Sequence, residues 1–200
     1  MNFSNRPCVV KNYVLEIDSE DRDLLAYPSP YHFKVRFDPQ PNSYDADGCL
    51  VLGSPSPIIL KKFKNVVRIK LESIIVPRQI GNVDVKELRF LKLFLTGSDG
   101  SSIGPNTKFS TGTIPFAKLF VTNNNENDEY ANPTIIDGVI ETDNNAPLNL
   151  NFLEIKILTG NTCPLFNESV FLSEKSNNKN YSRGQQICLT FTIGVLEPLN

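Results

Sequence analysis

Apolar and polar residues alternate one for one along several short stretches, and this period of two constrains the chain more than any other feature. The stretch near the C-terminal end shows it, with Ile187, Leu189, Phe191, Ile193 and Val195 on one side and Cys188, Thr190 and Thr192 on the other. Side chains of an extended strand point alternately to its two faces, so this pattern predicts a strand with one face buried. The same holds for Tyr13, Leu15 and Ile17, for Phe33, Val35 and Phe37, and for Leu153, Ile155 and Ile157. A core-facing helix would need apolar spacings of three and four. Helices are also opposed by 14 Pro and 11 Gly, which leave few stretches longer than about ten residues without a breaker. Thirteen Phe and six Tyr against one Met and no Trp favour strands as well.

The longest strand is expected over 61–76. Val67, Ile69 and Leu71 alternate with Arg68, Lys70 and Glu72, then Ser73-Ile74-Ile75-Val76 turns apolar on both faces before Pro77. This reads as a strand passing from a solvated surface into a packed centre. Further strands are expected over 88–96, 115–121, 134–141 and 166–172, with a short edge strand at 49–52. Polar turns and loops fill 38–57, 97–112, 122–133, 144–149 and 173–183. About eight strands joined in this way predict an all-β fold, a two-sheet antiparallel β-sandwich, jelly-roll-like, with long loops. Residues 1–11 read as an N-terminal arm and 12–200 as a single β-sandwich domain. The expected core is Phe33, Val35, Val67, Ile69, Leu71, Leu91, Leu93, Leu119, Ile155, Ile157, Leu189, Phe191 and Ile193.

Between the first two strands lies a run of charge, Asp18, Glu20, Asp21, Arg22 and Asp23, followed by Tyr27-Pro28-Ser29-Pro30-Tyr31. Each proline fixes its own φ and biases the preceding residue towards an extended conformation, so the connection should be a fixed, non-helical crossover. The charges read as a surface turn in which Asp and Ser bond nearby backbone N–H groups and Arg22 neutralises neighbouring carboxylates. The alternative is a carboxylate site for a divalent cation or for acid–base chemistry. It lacks a partner set, because the chain has one His, no HExxH and no spaced acidic triplet. Asp45-Ala46-Asp47-Gly48 also lacks the downstream ligands of a calcium loop and reads as a turn. The loop holding Gly97, Gly100 and Gly104 has no Gly-Lys-Ser/Thr end and is no phosphate-binding loop.

A net charge of −2 does not mark the whole chain as a nucleic-acid binder. Lys61, Lys62, Lys64, Arg68 and Lys70 concentrate positive charge on the long strand. They read first as a solvated face, second as contacts for an acidic protein partner, and third as phosphate contacts. Only Phe63 interleaves with them as an aromatic. No window approaches the roughly 20 apolar residues of a membrane-spanning helix, and residues 1–13 have no apolar core of the signal-peptide kind. Cys8, Cys49, Cys163 and Cys188 are widely spaced with no CxxC, which argues against zinc. They read as thiols in a reducing compartment, with one or two disulfides as the alternative.

The stretch IDSEDRDLLAYPSPYHFKVRF resembles the N-terminal motif of a family of capsid-associated structural proteins, minor capsid proteins of nucleocytoplasmic large DNA viruses. That motif runs Asp-Ser-x-Asp-Arg-Asp, Tyr-Pro-x-Pro and Phe-x-Val, matched here by Asp18, Asp21, Arg22, Asp23, Tyr27, Pro28, Pro30 and Phe33. Glu20 stands where an Arg is expected. Asn65-Val66-Val67-Arg68-Ile69-Lys70-Leu71 with Ile74-Ile75-Val76-Pro77, then Phe116-Ala117-Lys118-Leu119, are similar to further family landmarks, as is Pro147-Leu148 ahead of the closing strands. The resemblance implies a non-enzymatic virion protein that binds and cements major capsid capsomers in an icosahedral shell, assembled in the host cell cytoplasm. Implied partners are the major capsid protein and other minor capsid proteins, with self-association open, no nucleic acid and no cofactor. A vertex or fibre-base protein, or a glycan- or receptor-binding module using Tyr44 and Tyr130, is the second reading. A carbohydrate-active enzyme using Asp18, Asp21 or Asp23 is a remote third, because a sandwich alone licenses no chemistry and His32 has no Ser or Cys elbow to serve.

Overall fold

The computed structural model describes residues 7–22, 27, 29–37, 43–44, 50–51, 59, 61–80, 83–85, 88, 90–97, 102–104, 114–121, 129–142, 147–159 and 186–199. In chain order the strands are β1 (Cys8–Asp18), β2 (His32–Arg36), β3 (Ser43–Tyr44), β4 (Leu50–Val51), β5 (Phe63–Pro77), β6 (Gln79–Ile80), β7 (Val83–Asp84) and β8 (Leu91–Thr96). They continue with β9 (Ser102–Ile103), β10 (Ala117–Phe120), β11 (Tyr130–Ala131), β12 (Thr134–Asp137), β13 (Val139–Glu141), β14 (Leu148–Leu150), β15 (Phe152–Thr159) and β16 (Cys188–Pro198).

Two six-stranded antiparallel sheets form the body. One runs β1-β16-β5, with β11, β13 and β14 along the far edge of β5; the other runs β12-β10-β8-β15-β2, with β9 beside β8. The main strands nest as antiparallel pairs: β1 with β16, β2 with β15, β5 with β13, and β8 with β10. Successive pairs fall in opposite sheets, and β16–β5 and β15–β8 contacts join them. A doubled chain rolled up in this way is a jelly roll.

The alternating residues face each other across the gap between the sheets. Phe33, Val35, Ile69, Leu71, Leu91, Leu93, Leu119, Ile155, Ile157, Leu189, Phe191 and Ile193 all lie in one continuous buried cluster. Each such side chain removed from water contributes roughly 1.5–3 kcal/mol before chain entropy is counted. Phe116 and Phe191 meet at 6.4 Å between ring centroids, and Phe37 meets Phe63 edge to face at 5.0 Å. Val67 is also buried but lies outside that cluster.

Several sequence expectations change in detail. Residues 8–11, assigned above to an arm, are strand, because β16 continues to Pro198 and gives Cys8 and Lys11 partners at Pro198 and Val195. Exposure of Val9 and Val10 on both faces does not oppose this, since the ladder itself satisfies the backbone. Alternation along β5 is broken by two bulges, where the register with β16 slips between Leu71 and Ser73 and between Val66 and Arg68. An extra residue shifts the phase, so Ile74 and Val76 are buried while Ile75 faces out. The run expected to be apolar on both faces is therefore still one-sided. Short pairings also enter expected loops: β9 pairs β8, β11 pairs β5, and β14 pairs β5. The Asp45–Gly48 stretch and the strand expected over 166–172 lie outside the described residues.

The strand expected over 134–141 is two strands in different sheets. Asp137 and Gly138 both adopt left-handed backbone, with φ of 66° and 67°. The turn carries the chain from β12, which pairs β10, to β13, which pairs β5. Gly138 N–H donates to Phe116 O at 3.1 Å, and its carbonyl accepts from Leu71 N–H at 2.8 Å, so this one residue is bonded towards both sheets. A Cβ here would sit 2.8 Å from Ile135 Cγ2. Gly138→Ala is expected to cost about 2 kcal/mol or more from left-handed strain and this contact, read as a lower urea midpoint. Gly104→Ala, whose Cβ would meet nothing nearer than 3.4 Å, should leave the midpoint unchanged or slightly raised.

Candidate functional site

The charged crossover leaves β1 and reaches β2 in the other sheet, so it forms one corner of the roll. Asp18 Oδ1 accepts from Glu20 N–H at 2.8 Å and caps a single 3-10 turn, Ser19–Asp21. The connection was expected to be non-helical; a short carboxylate at an N-cap competes well for that first free N–H and winds one turn. Asp21 faces solvent. Asp23 and Pro28 of the motif lie outside the described residues.

Ser19 and Arg22 do not lie on the surface. Ser19 is fully buried and Arg22 is 4% exposed. Ser19 N–H donates to Ile187 O at 2.9 Å, and Ile187 N–H donates to Ser19 Oγ at 2.8 Å. This reciprocal pair continues the β1–β16 ladder one step past its last backbone rung. Ser19 Oγ also donates to Gln186 Oε1 at 2.8 Å. The Arg22 guanidinium donates to Ser19 O at 2.6 Å, to Gln186 Oε1 at 2.7 Å and to Tyr27 O at 2.9 Å. The sequence pattern had Arg22 neutralising nearby carboxylates; these three bonds run to neutral oxygens, while the Asp18 carboxylate acts on the guanidinium through its charge. A buried arginine needs its donors met in fixed directions, and only convergent carbonyls reach all sides of the fork. Burial lowers its pKa to about 10, with the Asp18 carboxylate pulling the other way.

Beyond the knot the chain turns through Tyr27, Ser29 and Pro30. Tyr31 N–H donates to Ser29 Oγ at 3.2 Å, and Tyr31 O accepts from Ile157 N–H at 2.8 Å. The Tyr31 ring is buried, and its hydroxyl meets no hydrogen-bond partner among the described residues. Burial pushes that phenol well above its ordinary value. Phe33, the last motif residue, is wholly buried in the core. His32 Nε2 lies 2.7 Å from Glu154 Oε1 on the neighbouring strand, consistent with a strand-surface residue.

The five basic residues of the long strand do not form one free patch. Arg68 Nε lies 3.4 Å from Glu141 Oε1, and Lys70 Nζ lies 2.6 Å from Glu72 Oε2. Glu72 also accepts from Thr192 Oγ1 at 2.8 Å, and these donors hold its carboxyl below the usual range. Lys61 sits over the Tyr13 ring at 3.5 Å, beside the Tyr13–Glu197 hydrogen bond and the Lys11–Glu197 pair. Lys62 and Lys64 face solvent. Among the described residues no three His, Cys, Asp or Glu side chains gather to hold a metal, and no helix is long and apolar enough to cross a membrane.

Gln186 and Ile187 complete the knot. The alternation marks Ile187 as an inward strand residue, but nothing in it marks either residue as a partner of Ser19 or Arg22, whose distance in sequence hides the contact.

No family model matches the chain. It is 41% identical over 70 residues to an uncharacterized protein of Acanthamoeba polyphaga mimivirus. The match covers 34% of this chain and 24% of that protein, so the likeness is to a giant-virus protein through about a quarter of its length.

Arg22→Met would strip its donor from Tyr27 O, leave Ser19 O only the long Arg22 N–H bond and Gln186 Oε1 only the Ser19 hydroxyl, and is expected to cost about 2 kcal/mol. Arg22→Lys should recover only part of it, because an ammonium cannot reproduce the fork. Urea titrations of both variants measure this. Tyr31→Phe removes an unpartnered hydroxyl and should leave the protein as stable or about 1 kcal/mol more stable at neutral pH. The folded phenol keeps its proton above pH 10, where an unfolded tyrosine loses it, so the protein with Tyr31 loses stability as pH rises past that value. The advantage of the Phe variant should therefore widen above pH 10.

Proposed function

We propose that this chain is a non-enzymatic structural protein of a large DNA virus particle, a minor capsid protein that binds and cements major capsid capsomers in an icosahedral shell. The observation that carries this reading is the use made of the Asp-Ser-Glu-Asp-Arg stretch. Its Ser19 and Arg22 are spent on a buried corner that closes the roll, so the most distinctive sequence in the chain supports architecture. The partial likeness to a mimivirus protein supports the viral setting.

A rigid sandwich with two broad outer faces suits this task. Each copy makes modest contacts with its neighbours, and repetition around a shell turns modest contacts into lasting ones. The partners on this reading are the major capsid protein and other minor capsid proteins, met during assembly in the host cytoplasm.

Cross-linking mass spectrometry on washed particles of the source virus tests it. The expected result is the chain in the particle with reproducible cross-links from Lys61, Lys62 or Lys118 to the major shell protein. A chain absent from washed particles, or present without shell cross-links, removes the proposal.

A further inference from the structure

The outer faces of the two sheets are built differently. On the β1-β16-β5 sheet, Arg68, Lys70 and Lys11 each have a glutamate at 3.4 Å or closer. The outward positions of the other sheet carry Lys34 and Arg36 on β2, Lys92 on β8, Lys118 on β10 and Lys156 on β15. Glu154 is the one carboxylate at the outward strand positions of this face among the described residues; it bonds His32 and stands opposite Lys34, away from Lys92 and Lys118. Lys118 and Lys92 are direct cross-strand partners. Like charges placed opposite each other on one face destabilise a sheet, yet no carboxylate in the described part of this face relieves them. From Lys118 on β10 to Arg36 on β2 the cations span three strand spacings, about 14 Å.

Apolar groups border this track. Phe120 and Ile136 are 36% and 43% exposed, and Leu158 stands half-buried opposite Lys92. We propose that the outer face of the β12-β10-β8-β15-β2 sheet is a docking surface for an acidic polypeptide surface on another protein, with Lys92, Lys118 and Lys156 as its charge contacts and Phe120 and Ile136 as its apolar ones. The pairing is complementary in charge and relieves the Lys92–Lys118 repulsion. Nucleic acid fits the face less well. Phe90 and Phe120 stack on each other at 5.6 Å, and Lys34 covers the Phe152 ring at 4.3 Å, so these rings offer bases few open platforms. The chain as a whole is also slightly acidic. The inference concerns the face and stands apart from whether the partner is a shell protein.

The test uses the full chain with a fluorescein-labelled oligoglutamate peptide, an oligothymidylate of matched charge, and fluorescence anisotropy at several salt concentrations. The peptide should bind, more weakly as salt rises. The double variant Lys92→Glu with Lys118→Glu should bind it about tenfold or more weakly. Lys62→Glu with Lys64→Glu, an equal change in net charge on the other sheet, should bind as the parent does. Thermal melts confirm that both variants are folded. No peptide binding, or equal loss in both double variants, overturns the proposal. Tighter binding of oligothymidylate that the Lys92/Lys118 variant abolishes also overturns it and makes nucleic acid the occupant. Self-association abolished by that variant, with no peptide binding, overturns it in favour of a second copy.

Discussion

A guanidinium buried at a corner of the sandwich ties the two ends of the chain together. Arg22 leaves water where Ser19 O, Tyr27 O and Gln186 Oε1 converge on it. Two of these acceptors lie on the crossover and the third stands at the entry to β16. Desolvating an arginine without such partners costs several kcal/mol, so the path of the crossover and the pairing of β16 with β1 stabilise each other. The knot thus couples a local turn to the most distant strand pairing in the fold. Ser19 reinforces the coupling by exchanging hydrogen bonds with Ile187 as a backbone rung would.

The rest of the roll follows from nested pairs and from the corners that switch them between sheets. Arg22 holds the corner between β1 and β2. Gly138 holds the one between β12 and β13, where two left-handed residues turn the chain and bond towards both layers. Between the corners the strands need only alternate. The bulges of β5 adjust that alternation, so one long strand stays buried on the correct side against β16 along its length.

The two outer faces then carry different electrostatics on a shared core. One face sets several of its cations beside glutamates, in pairs such as Lys70–Glu72 and Arg68–Glu141. The other leaves Lys118 opposite Lys92. A protein that bears such repulsion on a well-ordered strand surface has a face suited to a partner of opposite sign. On the reading as a particle component, this gives the sandwich a direction, with one face closed on itself and one open to a neighbour.

Period-two alternation, with the many Pro and Gly breakers, determined the fold class and the buried faces of β1, β2, β15 and β16, because alternation follows from strand geometry and needs no knowledge of neighbours. It also placed Phe33, Leu93, Ile155 and Phe191 in the core. The tertiary structure decided everything that depends on distant residues meeting. It took Ser19 and Arg22 off the surface, since Gln186 and Ile187 are remote in sequence. It split 134–141 at Gly138, since a left-handed corner is invisible to an apolar pattern. It also set Arg68 and Lys70 beside glutamates and gathered Lys34, Lys92, Lys118 and Lys156 from four strands onto one face, because cross-strand register, and not spacing along the chain, sets which charges stand side by side.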